Sequence, residues 1–397
     1  MKIHYFNPGH ETAVLNASPY YMAPANVVSM QQELAFLPAW YGNTDDVVLV
    51  DNVEDKDYYS HLPKHFPQLP KAISVAEPGK YTDGEIVLWG ISPQAIHFLE
   101  ERKAQYDTNI HIPSWEDEYT YLNSRMAARD CLEIIIDRIP DISEALLPHF
   151  FSNLDNIENI VNISDVPLLA KAPYSSSGRG LLWLPKEGLT RTERQILHGI
   201  LKKQEYVSVE QVLNKEIDFA MEFMSDGRGN IRFIGYSLFY TNKKGGYEAN
   251  YIGSQEYIEK QLAGKISLDL LKEVAKELTV VLGEKYAHAY KGCIGVDMLI
   301  YKDNNEYKLH PCLEVNMRYN MGYLAYKLYE NYIHPDAEGR FHLDFSAKGG
   351  CIYNRHLQMQ EQFPASFKGN RLVKGYFPLC PVKENSKYWA YVLIDNS

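Results

Sequence analysis

Apolar and polar positions alternate along this chain with different periods in different stretches. The opening KIHYF reads as a strand and is followed by a loop, NPGHET (7–12). VVLVD (47–51) and EIVLWG (85–90) are short apolar runs bounded by turn residues, as buried strands are. SPQAIHFLEERKA (92–104) has a Ser-Pro start and sets Ile96, Leu99 and Lys103 at helical spacing. Strands alternating with helices predict a parallel, doubly wound α/β domain over 1–115. A second unit opens at Pro113 and Ser114, where a capping-type Ser-Trp-Glu-Asp precedes a helix, TYLNSRMAARDCLEIIIDRI, that ends before Pro140. The order is then strand (VPLLAKAP), loop, strand (GLLWLP), helix (RTERQILHGILKK) and strand (YVSVEQVL). Period two takes over in IDFAMEF, IRFIGYSLFYT and YEANYIG, which predicts antiparallel strands. A long helix from about Ser267 to Tyr286, two more strands and a helix beginning near Met321 follow. The tail to Ser397 reads as irregular strands, YWAYVLI among them, without a legible motif.

Composition narrows the function classes. With 397 residues, 45% apolar and 23% charged, the chain is of ordinary globular make-up and long enough for two or three packed units. The formal charge of -11, with no basic block, argues against nucleic acid as a partner. Five cysteines (131, 293, 312, 351, 380) are scattered without a C-x-x-C pair, so reduced thiols are expected rather than zinc or a redox centre. The N-terminus lacks an apolar leader and no run approaches a membrane span, which predicts a soluble cytoplasmic protein without a membrane partner.

The first chemical candidate is LLAKAPYSSSGRGLLWLP (168–185). A P-loop needs its lysine after the glycines and a helix behind it; here Lys171 precedes them and an apolar run ending in Pro185 follows. The alternative is a hairpin whose tip, Ser175, Ser176, Ser177, Gly178, Arg179 and Gly180, folds over a polyanion, with Lys171 pointing toward it from the strand. A Ser/Gly turn between strands is usually only a loop.

A second candidate lies in GCIGVDMLIYKDNNEYKLHPCLEVNMRYN. Asp297 sits inside an apolar run, and Glu314 and Asn316 share one strand face that Arg318 continues. Antiparallel pairing of Asp297 with Glu314 puts the turn beside Asn305, with Pro311 expected to bulge the second strand. Three oxygen ligands then converge, which suits magnesium completed by nucleotide oxygens. The competing reading is an ion-pair cluster of Asp297 and Glu314 with Arg318 and Lys308. Between the two candidates, a strand ends in Glu210, Gln211 and Val212, and Glu216 follows. Backbone and acids there could take a purine amine (Glu210) and ribose hydroxyls (Glu216), although acids at strand ends are commonly plain surface.

The order of these parts resembles the ATP-grasp superfamily over roughly 115–330: a lysine strand, a Ser/Gly hairpin, a V-E strand with a ribose acid, an Asp, and E-x-N-x-R. The resemblance implies an N-terminal α/β domain (1–115, pre-ATP-grasp type, on the substrate side) and an α+β ATP-grasp fold of two subdomains. These would be 116–212, with the Gly/Ser-rich loop, and 213–345, with the metal site; 346–397 would be a strand-rich extension. It further implies an ADP-forming ligase that joins a carboxylate to an amine or thiol through an acyl phosphate, with small-molecule substrates and homodimerisation open. A kinase or a non-catalytic ATP-binding module on the same fold is the alternative. By position, Lys171 and the loop would meet the phosphates of ATP, and Glu210, Gln211, Val212 and Glu216 the nucleoside. Asp297, Glu314 and Asn316 would hold one or two Mg2+, with Mn2+ as a substitute, and Arg318 would meet the transferred phosphoryl group. Arg125 would supply the cation that family members carry before the lysine strand, and Lys243 or Lys244 would close over the site. His10 and Glu11, after the first strand, are the substrate candidates, with WGISPQ (89–94) beside them.

Overall fold

Four short strands, Lys71–Ser74, Val47–Val50, Lys2–Tyr5 and Glu85–Leu88, lie side by side in that order, each parallel to the next. The structure, a computed structural model, describes residues 1–51, 53, 56–76, 83–175, 178–243 and 245–395. Two compact units divide it, one of Met1–Glu116, Glu248–Ile258 and Arg318–Ser397, the other of Asp117–Tyr247 and Glu259–Met317.

In the first unit Val47–Val50 is buried at every position, which explains its unbroken apolar pattern. The helix expected at 92–104 is Pro93–Tyr106, with proline at its first position and the Ser92 hydroxyl accepting from Ala95 N–H at 3.3 Å. The expected loop at NPGHET covers only Asn7–Gly9, and His10–Thr12 already belong to a helix, His10–Asn16. Gly9 caps it with φ 115°, and its carbonyl accepts from Ala13 N–H at 3.4 Å. That backbone conformation favours glycine, and a Cβ there would lie 2.7 Å from a Val27 methyl. His10 and Glu11 therefore stand in a first helical turn. Strands of the C-terminal part join the mid-chain strand Tyr247–Ile252 in antiparallel order Tyr247–Ile252, Gly339–Phe345, Tyr388–Ile394, Arg371–Pro378 and Ser366–Lys368. The C-terminal part also contains a helix the pattern missed, Cys351–Gln362, which buries Ile352 and His356. Its mostly polar letters carry too little apolar period to announce it.

In the second unit the single helix expected over 120–139 is two, Glu118–Leu122 and Arg125–Arg138. Ser124 breaks it, its hydroxyl accepting from Ala127 N–H at 3.4 Å, so Arg125 heads the longer helix. A small antiparallel sheet runs His149–Phe151, Val207–Gln211, Leu168–Lys171, Leu181–Leu184. Leu168, Ala170, Val207 and Val209 point into a core with Ile157 and Val161 of helix Leu154–Ile163 and Leu197 of helix Arg191–Gln204. Alternation then turns Leu169, Lys171, Ser208 and Glu210 to the other face. A larger antiparallel set runs Glu306–Asn316, Lys291–Asp303, Lys215–Asp226, Ile231–Thr241. Helix Leu268–Lys285, at the expected place and capped by Ser267, buries Leu271, Val274, Leu278, Val281 and Leu282. Among the described residues no helix is long and apolar enough to cross a membrane.

Candidate active site

In the second unit Lys171 lies opposite Ser208, and Glu210 opposite Leu169, which makes Lys171 and Glu210 diagonal neighbours on one face of the small sheet. Their Nζ and Oε1 form an ion pair, with the side chains only 7% and 15% exposed. Glu210 also lines a cavity of about 10 Å³, room for one water, together with Arg125, Arg129, Ser208, His310 and Cys312. His310 is buried and was not anticipated; a histidine before Pro311 in an apolar strand carries no motif. Burial holds its pKa down to about 4, with Lys171 pushing the same way and Glu210 opposing. His310 is therefore neutral, and its Nδ1 accepts from Cys312 N–H at 3.4 Å, which leaves the proton on Nε2.

The hairpin of Lys291–Asp303 and Glu306–Asn316 turns at Asn304 and Asn305, both with positive φ (47° and 71°), as the DNN cluster suggested. Asp297 lies directly opposite Glu314, and Asn316 opposite Gly295. The register shifts between Asp297 and Leu299, where the partner strand carries Pro311. The side chains of Asp297, Glu314 and Asn316 thus share one face. The cation at Glu314 is neither Lys308, which pairs with Asp303 at 2.7 Å, nor Arg318, whose Nε donates to Glu11 at 2.8 Å. It is Arg125, whose Nη2 lies 3.3 Å from Glu314 Oε2 and whose Nε donates to the Ala172 carbonyl at 3.0 Å. Two carboxylates opposed across neighbouring strands repel, and a divalent cation between them would remove that repulsion, so the donor set fits a hard metal ion. Among the described residues no three His, Cys, Asp or Glu gather as metal ligands, which leaves two carboxylates and an amide to be completed by other oxygens.

The Ser/Gly hairpin follows Lys171, with Ala172 N–H donating to the Gly180 carbonyl at 2.9 Å. Gly178 has φ 72°, and a Cβ there would lie 2.3 Å from the Gly245 carbonyl oxygen. Gly178 thus packs against Gly245, and Lys243 is exposed. Arg179 is exposed and Ser175 half-buried, while Ser176, Ser177 and Lys244 lie outside the described residues. Val212 N–H donates to the Pro167 carbonyl at 2.8 Å, so strand alternation turns the backbone groups of Gln211 to the opposite side. Glu216 is 3.6 Å from Lys265 Nζ, which also caps the Tyr307 ring at 3.9 Å.

The first unit holds the remaining candidates. The strand ends at Asn316, two residues before Arg318, which belongs to the first unit and bonds Glu11. Burial would raise the Glu11 pKa, but His10 (3.3 Å) and Arg318 outweigh it and hold the carboxyl well below the usual range. Asn7 clamps Gly90 in both directions, its Nδ2 donating to the Gly90 carbonyl at 2.6 Å and its Oδ1 accepting from Gly90 N–H at 3.2 Å. A Cβ at Gly90 would lie 2.3 Å from the His10 ring. NPGHET and WGISPQ, read separately in the sequence, therefore meet at His10 and Gly90.

No family model matches this chain, and no curated protein does. Solved structures do. A biotin carboxylase from Campylobacter jejuni in complex with β,γ-ATP superposes with a TM-score of 0.54 at 11% identity, covering 99% of this chain and 87% of that one. The biotin carboxylase domain of a 2-oxoglutarate carboxylase from Hydrogenobacter thermophilus, with MgADP, ADP and bicarbonate, gives 0.53 at 10% identity, covering 99% and 86%. An N5-carboxyaminoimidazole ribonucleotide synthetase in complex with ADP gives 0.50 at 9%, covering 100% and 92%. At such identities the likeness is one of fold.

Proposed function

We propose that this chain, whose fold is that of the ATP-grasp superfamily, is an ATP- and magnesium-dependent ligase that joins a carboxylate to an amine or thiol through an acyl phosphate. One observation carries the reading. Glu210 and Arg125, the one paired with Lys171 and the other with Glu314, line a single cavity, and Asp297 stands across the hairpin from Glu314. Phosphoryl transfer asks a protein mainly for charge neutralisation and positioning, and this set offers both without a dedicated general base. Lys171 and Arg125 would meet nucleotide phosphates, Glu210 the purine amine, and Glu216 the ribose. Asp297, Glu314 and Asn316 would hold magnesium, which supplies charge neutralisation at the phosphates when bound. The Gly178 hairpin would exclude water from a hydrolysable intermediate. Within the first unit, taken by itself, Arg318 clusters with His10 and Glu11, and its guanidinium would suit an oxyanion of a substrate.

The test is phosphate release from ATP in pools of carboxylic acids and amines, with mass spectrometry of products. ADP and phosphate should form only when acid and nucleophile are both present. AMP and pyrophosphate would eliminate the acyl-phosphate route, a stable phosphorylated product would turn the reading to a kinase, and tight ATP binding without turnover to a sensor.

A further inference from the structure

Arg125 is held from three sides within the second unit. It opens helix Arg125–Arg138 after the Ser124 cap, and its backbone N–H donates to the Pro173 carbonyl at 3.3 Å. Its Nε donates to the Ala172 carbonyl at 3.0 Å, and its Nη2 reaches Glu314 at 3.3 Å. The side chain is 9% exposed, so this guanidinium is fixed rather than sampling solvent. Ala172 and Pro173 form the base of the Ser/Gly hairpin, directly after Lys171.

A guanidinium and a divalent cation compete for the same carboxylate oxygens, and Glu314 cannot satisfy both fully. Arg125 borders a cavity of about 10 Å³, room for one water and none for a nucleotide phosphate. We infer that Arg125 is a stand-in for the metal: it neutralises Glu314 opposite Asp297 until metal and nucleotide arrive, then leaves that carboxylate for the phosphates. The inference rests on reading Asp297, Glu314 and Asn316 as the metal ligands. It adds a coupling to that reading, because the residue that yields to the metal is the one tied to the base of the hairpin. Free metal alone must break the Arg125–Glu314 pair with nothing offered in return to the guanidinium. Metal with nucleotide offers phosphate oxygens to the released side chain. Arg125 thereby makes the site discriminate against metal without nucleotide.

The experiment titrates free Mn2+ into nucleotide-free protein, with the unbound aqua ion read by electron paramagnetic resonance. Arg125→Met should bind Mn2+ about 10-fold tighter than the unaltered protein, the equivalent of one charge-assisted contact no longer competing. Arg125→Gln, which retains an amide donor for the Ala172 carbonyl, carries the same expectation and covers the case in which the Met variant folds poorly. Arg129→Met is the control for general charge: Arg129 lines the same cavity but pairs with Glu133 at 3.1 Å, and its loss should change Mn2+ affinity less than twofold. Equal Mn2+ affinity in the unaltered protein and both Arg125 variants would overturn the stand-in while leaving the metal site intact. An equal gain in Arg129→Met would overturn it too, reducing the effect to net charge. Absence of Mn2+ binding in every variant, including with ADP present, would overturn both the inference and the metal site beneath it.

Discussion

Lys171 and Glu210 form an ion pair almost out of water, which makes stability as well as activity depend on it. Glu210→Gln leaves the ammonium, 7% exposed, against a neutral amide. Breaking a buried pair from one side costs about 3–5 kcal/mol, and the retained amide acceptor sets the expectation at about 2–3 kcal/mol. Lys171→Met strands the carboxylate instead; at 15% exposure it can recover some hydration, for a loss of about 1–2 kcal/mol. The combined variant removes both charges and should be no less stable than the milder single one, giving a coupling of about 2 kcal/mol in a double-mutant cycle. For a unit of this size that corresponds to roughly 4–8 °C in the midpoint of its thermal transition. Calorimetry of the four proteins without nucleotide measures it, and ATP binding measured alongside should be weakened in all three variants. Single variants within 0.5 kcal/mol of the unaltered protein, or strictly additive losses, would refute the reasoning by showing the pair to be solvated and energetically idle.

Gly178→Ala forces a side chain onto a residue at φ 72° whose Cβ would lie 2.3 Å from the Gly245 carbonyl. The hairpin tip must shift, and kcat/KM for ATP should fall roughly 10–100-fold with little change in unfolding temperature; unchanged kinetics would separate the tip from catalysis. His310 titrates near 4 when folded and near its ordinary 6.5 when unfolded, because burial disfavours the charged ring. A depressed pKa contributes stability fully above 6.5 and loses it as pH falls toward 4, roughly 3 kcal/mol for this one group. Unfolding midpoints at pH 7 and 4.5 should therefore converge partly in His310→Gln; a pH slope as steep as that of the unaltered protein would contradict the assignment. Asp297→Asn or Glu314→Gln should each reduce turnover at least 100-fold while the protein still folds, and near-normal turnover would move the metal elsewhere.

Local pattern alone determined most of the strands and several helices, because apolar period and capping letters act within a few residues. The Ser-Pro start at Ser92 and the helix start near Ser267 were legible for that reason, and so was the Asp297–Glu314 pairing, which the DNN turn and antiparallel geometry leave little freedom to alter. Period-poor elements were not legible: helix Cys351–Gln362 is mostly polar, and the helix at His10 begins on the backbone conformation of Gly9 rather than on a side-chain cap. Which charge meets which was decided only by tertiary structure. Adjacent letters suggested Lys308 or Arg318 for Glu314, whereas the partner is Arg125, 189 positions away, and Glu11 takes Arg318 across 307. The physical reason is that a strand's alternation specifies the face a side chain leaves from, but the identity of the opposing surface depends on packing of distant segments, and Coulomb attraction is indifferent to separation along the chain.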